Sequence, residues 1–189
     1  MRLFVALSIP TELRDGLSSL VTELQQLDPA PRWANPFHLH VTLKFIGEVP
    51  AERLSGIAEA LAEIPVAEPL PLELREIGFF PSVRRPAVVW MGIQASAELN
   101  RLAASVDERL ASRGVARESR PFVPHLTLAR CKEKRLSAAL SQRLDGLKDR
   151  SFGRFVVAQF HLMESTLKRL GAEYTTLHSF PIAAEGARL

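Results

Sequence analysis

The sequence predicts an α+β protein made of two related halves, each presenting one histidine-bearing strand to a shared cleft. Three observations carry this prediction. Helical and strand periodicities alternate along the chain, but several strand patterns follow one another directly, as antiparallel hairpins do and a doubly wound parallel sheet does not. One pattern occurs twice: Pro36-Phe37-His38-Leu39-His40-Val41-Thr42-Leu43 and Pro121-Phe122-Val123-Pro124-His125-Leu126-Thr127-Leu128 share Pro-Phe-x-x-His-x-Thr-Leu, each entering a strand from a proline-rich connection. The composition, 47% hydrophobic and 24% charged over 189 residues with a mean hydropathy of +0.04, supplies a core without disulfide or metal staples.

Residues 2–9 read as a first strand. Pro10-Thr11-Glu12 opens a helix to about Leu27, with Leu13, Leu17, Leu20, Val21 and Leu24 on one face. Pro29, Pro31 and Pro36 force an irregular connection. Residues 39–46 are the clearest strand, with Leu39, Val41, Leu43 and Phe45 alternating with His40, Thr42, Lys44 and Ile46 before Gly47 ends it. A second helix spans roughly 51–64 on a stripe of Leu54, Ile57, Ala58 and Leu61, and strands over 70–79 and 86–94 flank a turn from Pro81 to Pro86. The order then recurs. A helix over about 97–113 is stopped by Gly114, a strand over 125–131 follows Pro121 and Pro124, a helix lies near 136–147, and strands at about 154–163 and 174–182 close the chain.

Lys and Arg number 24 against 21 Asp and Glu, a mild excess that admits an anionic partner without demanding one. It concentrates around the second motif, where Arg113, Arg117, Arg120, Arg130, Lys132, Lys134 and Arg135 stand against only Glu118 and Glu133. Such a cluster suits either a phosphate-attracting surface or a solvated face. Cys131 is the only cysteine, which excludes an intrachain disulfide and fits a reducing compartment. The apolar run at the N-terminus is too short for the core of a signal peptide, and no run approaches a membrane span. A soluble, cytoplasmic, monomeric protein is expected.

In a strand, residues two apart share a face, so His40 lies beside Thr42 and His125 beside Thr127. An imidazole with its ordinary pKa of about 6.5 is acid or base near neutrality, and two of them, one protonated and one neutral, supply both proton transfers of a phosphodiester displacement. Each threonine hydroxyl can donate to a non-bridging phosphate oxygen. A single His-x-Thr is ordinary strand sequence; two copies inside a longer shared pattern are not. A zinc site lacks its further ligands, since no carboxylate or cysteine is spaced to complete a tetrahedron beside His40. Neither a metal nor a cofactor is expected. Cys131 reads as a small buried residue, and His38, His161 and His178, outside the doubled pattern of strand-borne His-x-Thr, read as structural or surface residues.

The doubled His-x-Thr resembles the two-histidine (2H) phosphoesterases, and the wider pattern resembles their RNA 2′,3′-cyclic phosphodiesterase branch, also called the 2′-5′ RNA ligases. The resemblance runs through Arg2-Leu3-Phe4-Val5-Ala6-Leu7, Arg32-Trp33, His40 to Val49, Gly78-Phe79-Phe80-Pro81, Val88-Val89-Trp90-Met91-Gly92, His125 to Arg130, Leu162-Met163-Glu164-Ser165, Tyr174 and Phe180. It implies one bilobal domain over residues 1–189, with two pseudo-twofold related lobes of antiparallel sheet plus helices around a central cleft. It implies hydrolysis of RNA 2′,3′-cyclic phosphate ends to a 2′-phosphate, His40 protonating O3′ and His125 activating water. Arg130 matches a basic residue that relatives place near the phosphate, yet alternation puts it on the face opposite His125, so either a bulge re-aims it or its role is structural. Phe45 and Phe80 are candidates for a base-stacking surface; parity assigns Phe45 to the core. Two other readings stand beside this one: 2′-5′ ligation or hydrolysis of another 2′-linked nucleotide, and a non-catalytic RNA- or nucleotide-binding module.

Overall fold

The computed structural model describes residues 1–65, 68–168 and 171–182. Its strands are β1 (Arg2–Ser8), β2 (Arg32–Trp33), β3 (His40–Glu48), β4 (Leu70–Phe80), β5 (Val88–Ala95), β6 (His125–Arg130), β7 (Ser151–Val157), β8 (Gln159–Lys168) and β9 (Gly171–Pro181). Its helices are α1 (Thr11–Leu27), α2 (Leu54–Ala62), α3 (Ala97–Ala111) and α4 (Ala138–Asp145). The strands form one sheet in the order β7-β4-β5-β6-β3-β1-β8-β9, with β2 paired to β6 off this path. Every pairing is antiparallel, as the α+β expectation requires.

The sheet has two halves that meet at β3 and β6. One consists of β3, β1, β8 and β9, the other of β6, β5, β4 and β7, which is the arrangement of two related lobes that the family resemblance implies. The halves are exchanged along the chain: β4 follows β3 and α2 but pairs with β5, while β8 follows β6 and α4 but pairs with β1. Helices α2 and α3 pack together against β3 and β9, and α1 packs with α4 and β7. The stripe Leu17, Leu20, Val21 and Leu24 of α1 is buried, as is Leu99, Leu102, Ala103, Val106 and Leu110 of α3. Each such leucine contributes roughly 1.5–3 kcal/mol through the water it leaves. Gly153 (φ +132°) lets α1 approach β7, since a Cβ there would lie 2.6 Å from Leu13 Cδ2. Among the described residues no helix is long and apolar enough to cross a membrane.

One expected element divides. The strand predicted over 154–163 is two strands, β7 beside β4 and β8 beside β1, with Ala158 between them. The core residues change phase there: Phe155 and Val157 are buried in one alternation, Phe160 and Leu162 in the other. A strand facing one continuous core cannot slip by one residue without turning its apolar side outward. The two-residue strand β2 also forms inside the connection predicted to be irregular, pairing Arg32 with Arg130 and Trp33 with Ala129.

Candidate active site

The two histidine strands touch through a single antiparallel pair, Val41 with Leu126, both fully buried. About that pair the register sets His40 toward Thr127 and Thr42 toward His125, on the face opposite the buried side chains. Both strands then bulge at matching positions. Opposite β3, Ala6 pairs with Thr42 but Val5 with Lys44, leaving Leu43 extra; opposite β6, Trp90 pairs with Thr127 but Val89 with Ala129, leaving Leu128 extra. A bulge reverses the alternation beyond it. Lys44 and Ala129 therefore turn inward and are buried, while Phe45 and Arg130 turn to the cleft side and are exposed. The expectation that Phe45 belongs to the core is thus corrected, the residue being 57% exposed. Arg130 is re-aimed to the histidine face by the bulge in β6.

The imidazoles are held in matching ways. His40 Nδ1 lies 2.7 Å from the His38 carbonyl and His125 Nδ1 lies 2.7 Å from the Val123 carbonyl. A carbonyl only accepts, so each Nδ1 carries a proton and each neutral ring keeps Nε2 as its lone-pair atom. His40 is packed by Phe4 (4.8 Å between ring centres) and edge-on by Tyr174 (5.0 Å); His125 is packed edge-on by Phe80 (5.1 Å) and lies 6.1 Å from Trp90. A Cβ on Gly78 would lie 2.0 Å from the Trp90 ring, so the glycine makes room for the indole beside Phe80. Burial pushes both imidazoles below their ordinary value of 6.5, partly offset by the carbonyl bonds. The charges of His38 and His125 lower His40 further, and that of Arg130 lowers His125. The charge of His125 is thus felt, weakly, at His40.

A cleft of about 790 Å³ opens over this face, lined by His40, Thr42, His125, Thr127, Arg130 and Phe45 together with Arg2, Arg32, Trp33, His38 and Tyr174. Of the residues predicted from sequence, all four of the doubled motif and Arg130 share the cleft, while Phe80 stands behind His125. His38 reaches the cleft as well, its ring edge-on to Tyr174 at 5.5 Å. His161 is buried and bonded to Ser179 (2.9 Å), His178 is exposed, and Cys131 is buried. Sequence reasoning assigned no role to Phe4, Tyr174, Arg2 or Arg32. A second groove of about 430 Å³ along β4, β5 and β7 contains no histidine. Among the described residues no three His, Cys, Asp or Glu side chains gather as metal ligands.

Lys44, turned inward by its bulge, ties the first motif to the approach of the second. Its Nζ donates to Asp107 Oδ1 (2.5 Å) on α3 and to the Ala116 carbonyl (2.6 Å), and the Glu118 N–H donates to the same Asp107 oxygen (3.0 Å). Burial raises the Asp107 carboxyl, but these bonds and the charges of Lys44 and Arg117 outweigh it and hold the group below its usual range. Lys44→Met is expected to lower stability by about 1–3 kcal/mol, because the half-buried Asp107 carboxylate loses its nearest donor and keeps only the Glu118 N–H and the more distant Arg117. Adding Asp107→Leu should recover part of that loss. Thermal unfolding of both variants checks this, and a double variant less stable than the single one would contradict it.

Residues 11–169 match the family model described as the 2′-5′ RNA ligase superfamily. A protein of Archaeoglobus fulgidus named RNA 2′,3′-cyclic phosphodiesterase is 36% identical over 180 residues, covering 95% of this chain and 99% of its own. One of the same name from Thermus thermophilus is 33% identical, covering 100% of this chain and 93% of its own. Among solved structures, a Thermus thermophilus protein superposes with a TM-score of 0.79 at 30% identity over 98% of this chain and 100% of that one. Escherichia coli LigT complexed with 3′-AMP does so with a TM-score of 0.79 at 28% identity over 95% and 97%.

Proposed function

Since the chain belongs to the 2′-5′ RNA ligase superfamily, as its doubled motif led us to expect, we propose that it hydrolyses RNA 2′,3′-cyclic phosphate ends to 2′-phosphates by two-histidine acid–base catalysis. The observation that carries the reading is the symmetric pair of imidazoles on one cleft, each with Nδ1 committed to a carbonyl and Nε2 available. Relatives named RNA 2′,3′-cyclic phosphodiesterase support the substrate. His125 takes a proton from water as its oxygen bonds to phosphorus; the P–O3′ bond breaks, and His40 gives O3′ its proton. The products are a 2′-phosphomonoester and a 3′-hydroxyl, with the protonation of the two rings exchanged until solvent resets it. Thr42, Thr127 and Arg130 hold the non-bridging oxygens, Phe45 offers a ring face for the base, and Phe80 braces the His125 ring from behind. With a 5′-hydroxyl in place of water the same displacement yields a 2′-5′ linkage, the activity named in the family's description. On this reading residues 1–189 act as a single, monomeric, cytoplasmic domain.

An oligonucleotide ending in a 2′,3′-cyclic phosphate, incubated with the protein in excess EDTA, is expected to give the 2′-phosphate, assigned by phosphorus NMR. A 3′-phosphate product would reverse the leaving group. Activity lost to EDTA and regained with one divalent ion would overturn the metal-independent mechanism.

A further inference from the structure

We infer that the tip of the β4–β5 hairpin and the loop after β6 form a track for the RNA chain behind the processed end, so that a polynucleotide is preferred over a mononucleoside cyclic phosphate. The inference rests on the function proposed above. The fold joins these two segments directly: Ala87 N–H donates to the Phe80 carbonyl (2.7 Å), Cys131 N–H donates to the Ala87 carbonyl (2.9 Å), and Val88 pairs with Arg130. Arg84, Arg85, Arg130, Lys132, Lys134 and Arg135 are thereby brought to one end of the sheet, all of them exposed, with Glu133 as the one carboxylate in either segment.

The six cations are not neutralised by ion pairs among the described residues. Arg101, Arg109, Arg143, Lys148 and Arg154 each lie against a carboxylate, whereas none of the six does among the described residues. Arg32 stands directly opposite Arg130 in the β2–β6 register. Like charges so placed repel, and an anion between them removes the cost. Arg32 and Arg130 also line the cleft, so the surface begins at the catalytic face and leads outward over the hairpin tip. A polyanion entering the cleft by its end follows that path, each phosphate gaining from a cation whose counterion it releases. The structure also divides the basic cluster seen in sequence. Arg117 is engaged by Asp107, and the Arg113 backbone by Arg53. Only the part from Arg130 onward joins the hairpin.

The test compares turnover of a mononucleoside 2′,3′-cyclic phosphate with that of a ten-nucleotide RNA bearing the same end. Arg84→Gln/Arg85→Gln, in an exposed turn, is expected to lower kcat/KM for the oligonucleotide about tenfold and to leave the mononucleoside unchanged. The slope of log kcat/KM against log salt should flatten by about 1.4 for the oligonucleotide, the share of two phosphate contacts on a single strand. Arg101→Gln/Arg154→Gln, which removes two paired cations elsewhere, should change neither substrate. Equal losses on both substrates, or an unchanged oligonucleotide rate and salt slope, would overturn the track. If the wild-type protein turned over neither substrate, the proposed function would fail instead. Binding of a 2′-phosphate-ended ten-mer by fluorescence anisotropy would then still test the track, which requires weaker binding by the double glutamine variant.

Discussion

Replacing either His40 or His125 by alanine is expected to lower kcat by at least about 10²–10⁴-fold with the fold intact, the range for removing a general acid or base. At about 1.36 kcal/mol per tenfold, that is roughly 3–5 kcal/mol of transition-state stabilisation. The loss should fall on kcat rather than KM, because proton transfer occurs in the transition state and not in the bound ground state. Combining both substitutions should cost less than the product of the single losses, since acid and base serve one displacement and either absence already stalls it. Thr42→Ala and Thr127→Ala should each cost less, on the order of 10²-fold, as each removes one donor to the phosphate. His161→Ala and His178→Ala should stay within a few-fold of the parent. His161 is buried against Ser179, so its variant calls for a measurement of stability beside turnover. A loss at His178 equal to that at His40 in a folded protein would show that the catalytic pair is wrongly chosen.

The sequence sufficed for the doubled motif because the two copies keep residue type, spacing and a preceding proline together. What it concealed follows from the two bulges. Strict alternation beyond Thr42 places Lys44 with the histidines and Phe45 in the core; the extra residue at Leu43 reverses both. The same one-residue insertion at Leu128 buries Ala129 and brings Arg130 round. A bulge leaves no periodic trace in so short a strand, although a lysine on the apolar side of the corrected pattern needs an acid within reach, and the half-buried Asp107 supplies it. The division at Ala158 was legible in principle, because Phe155 and Val157 are out of phase with Phe160 and Leu162. Tyr174 was not. It lies edge-on to His40 because β9 pairs with β8 and β8 with β1, and strand order is a long-range property that no local pattern encodes.

The rate should depend on pH as a bell whose two limbs belong to the coupled pair. Burial lowers both imidazoles in the free protein, so near neutrality both are mostly unprotonated and the acid is the scarce form. The alkaline limb of kcat/KM, which reports the free protein, is therefore expected below about 6.5, the ordinary value for histidine. A bound phosphate anion favours the imidazolium, so the alkaline limb of kcat, which reports the complex, should lie at higher pH. Coincident alkaline limbs would show that the anion does not reach the acid. The roles separate by substitution. His40→Ala should lose the alkaline limb of its residual activity, and His125→Ala the acidic limb. A cyclic phosphate carrying sulfur at the 3′ position leaves as a thiolate, whose conjugate acid has a pKa near 8.5 and needs no proton to depart. It should restore a large part of the rate to His40→Ala and almost none to His125→Ala. Rescue of His125→Ala instead would exchange the two assignments, and rescue of neither would mean that departure of O3′ is not the step His40 assists.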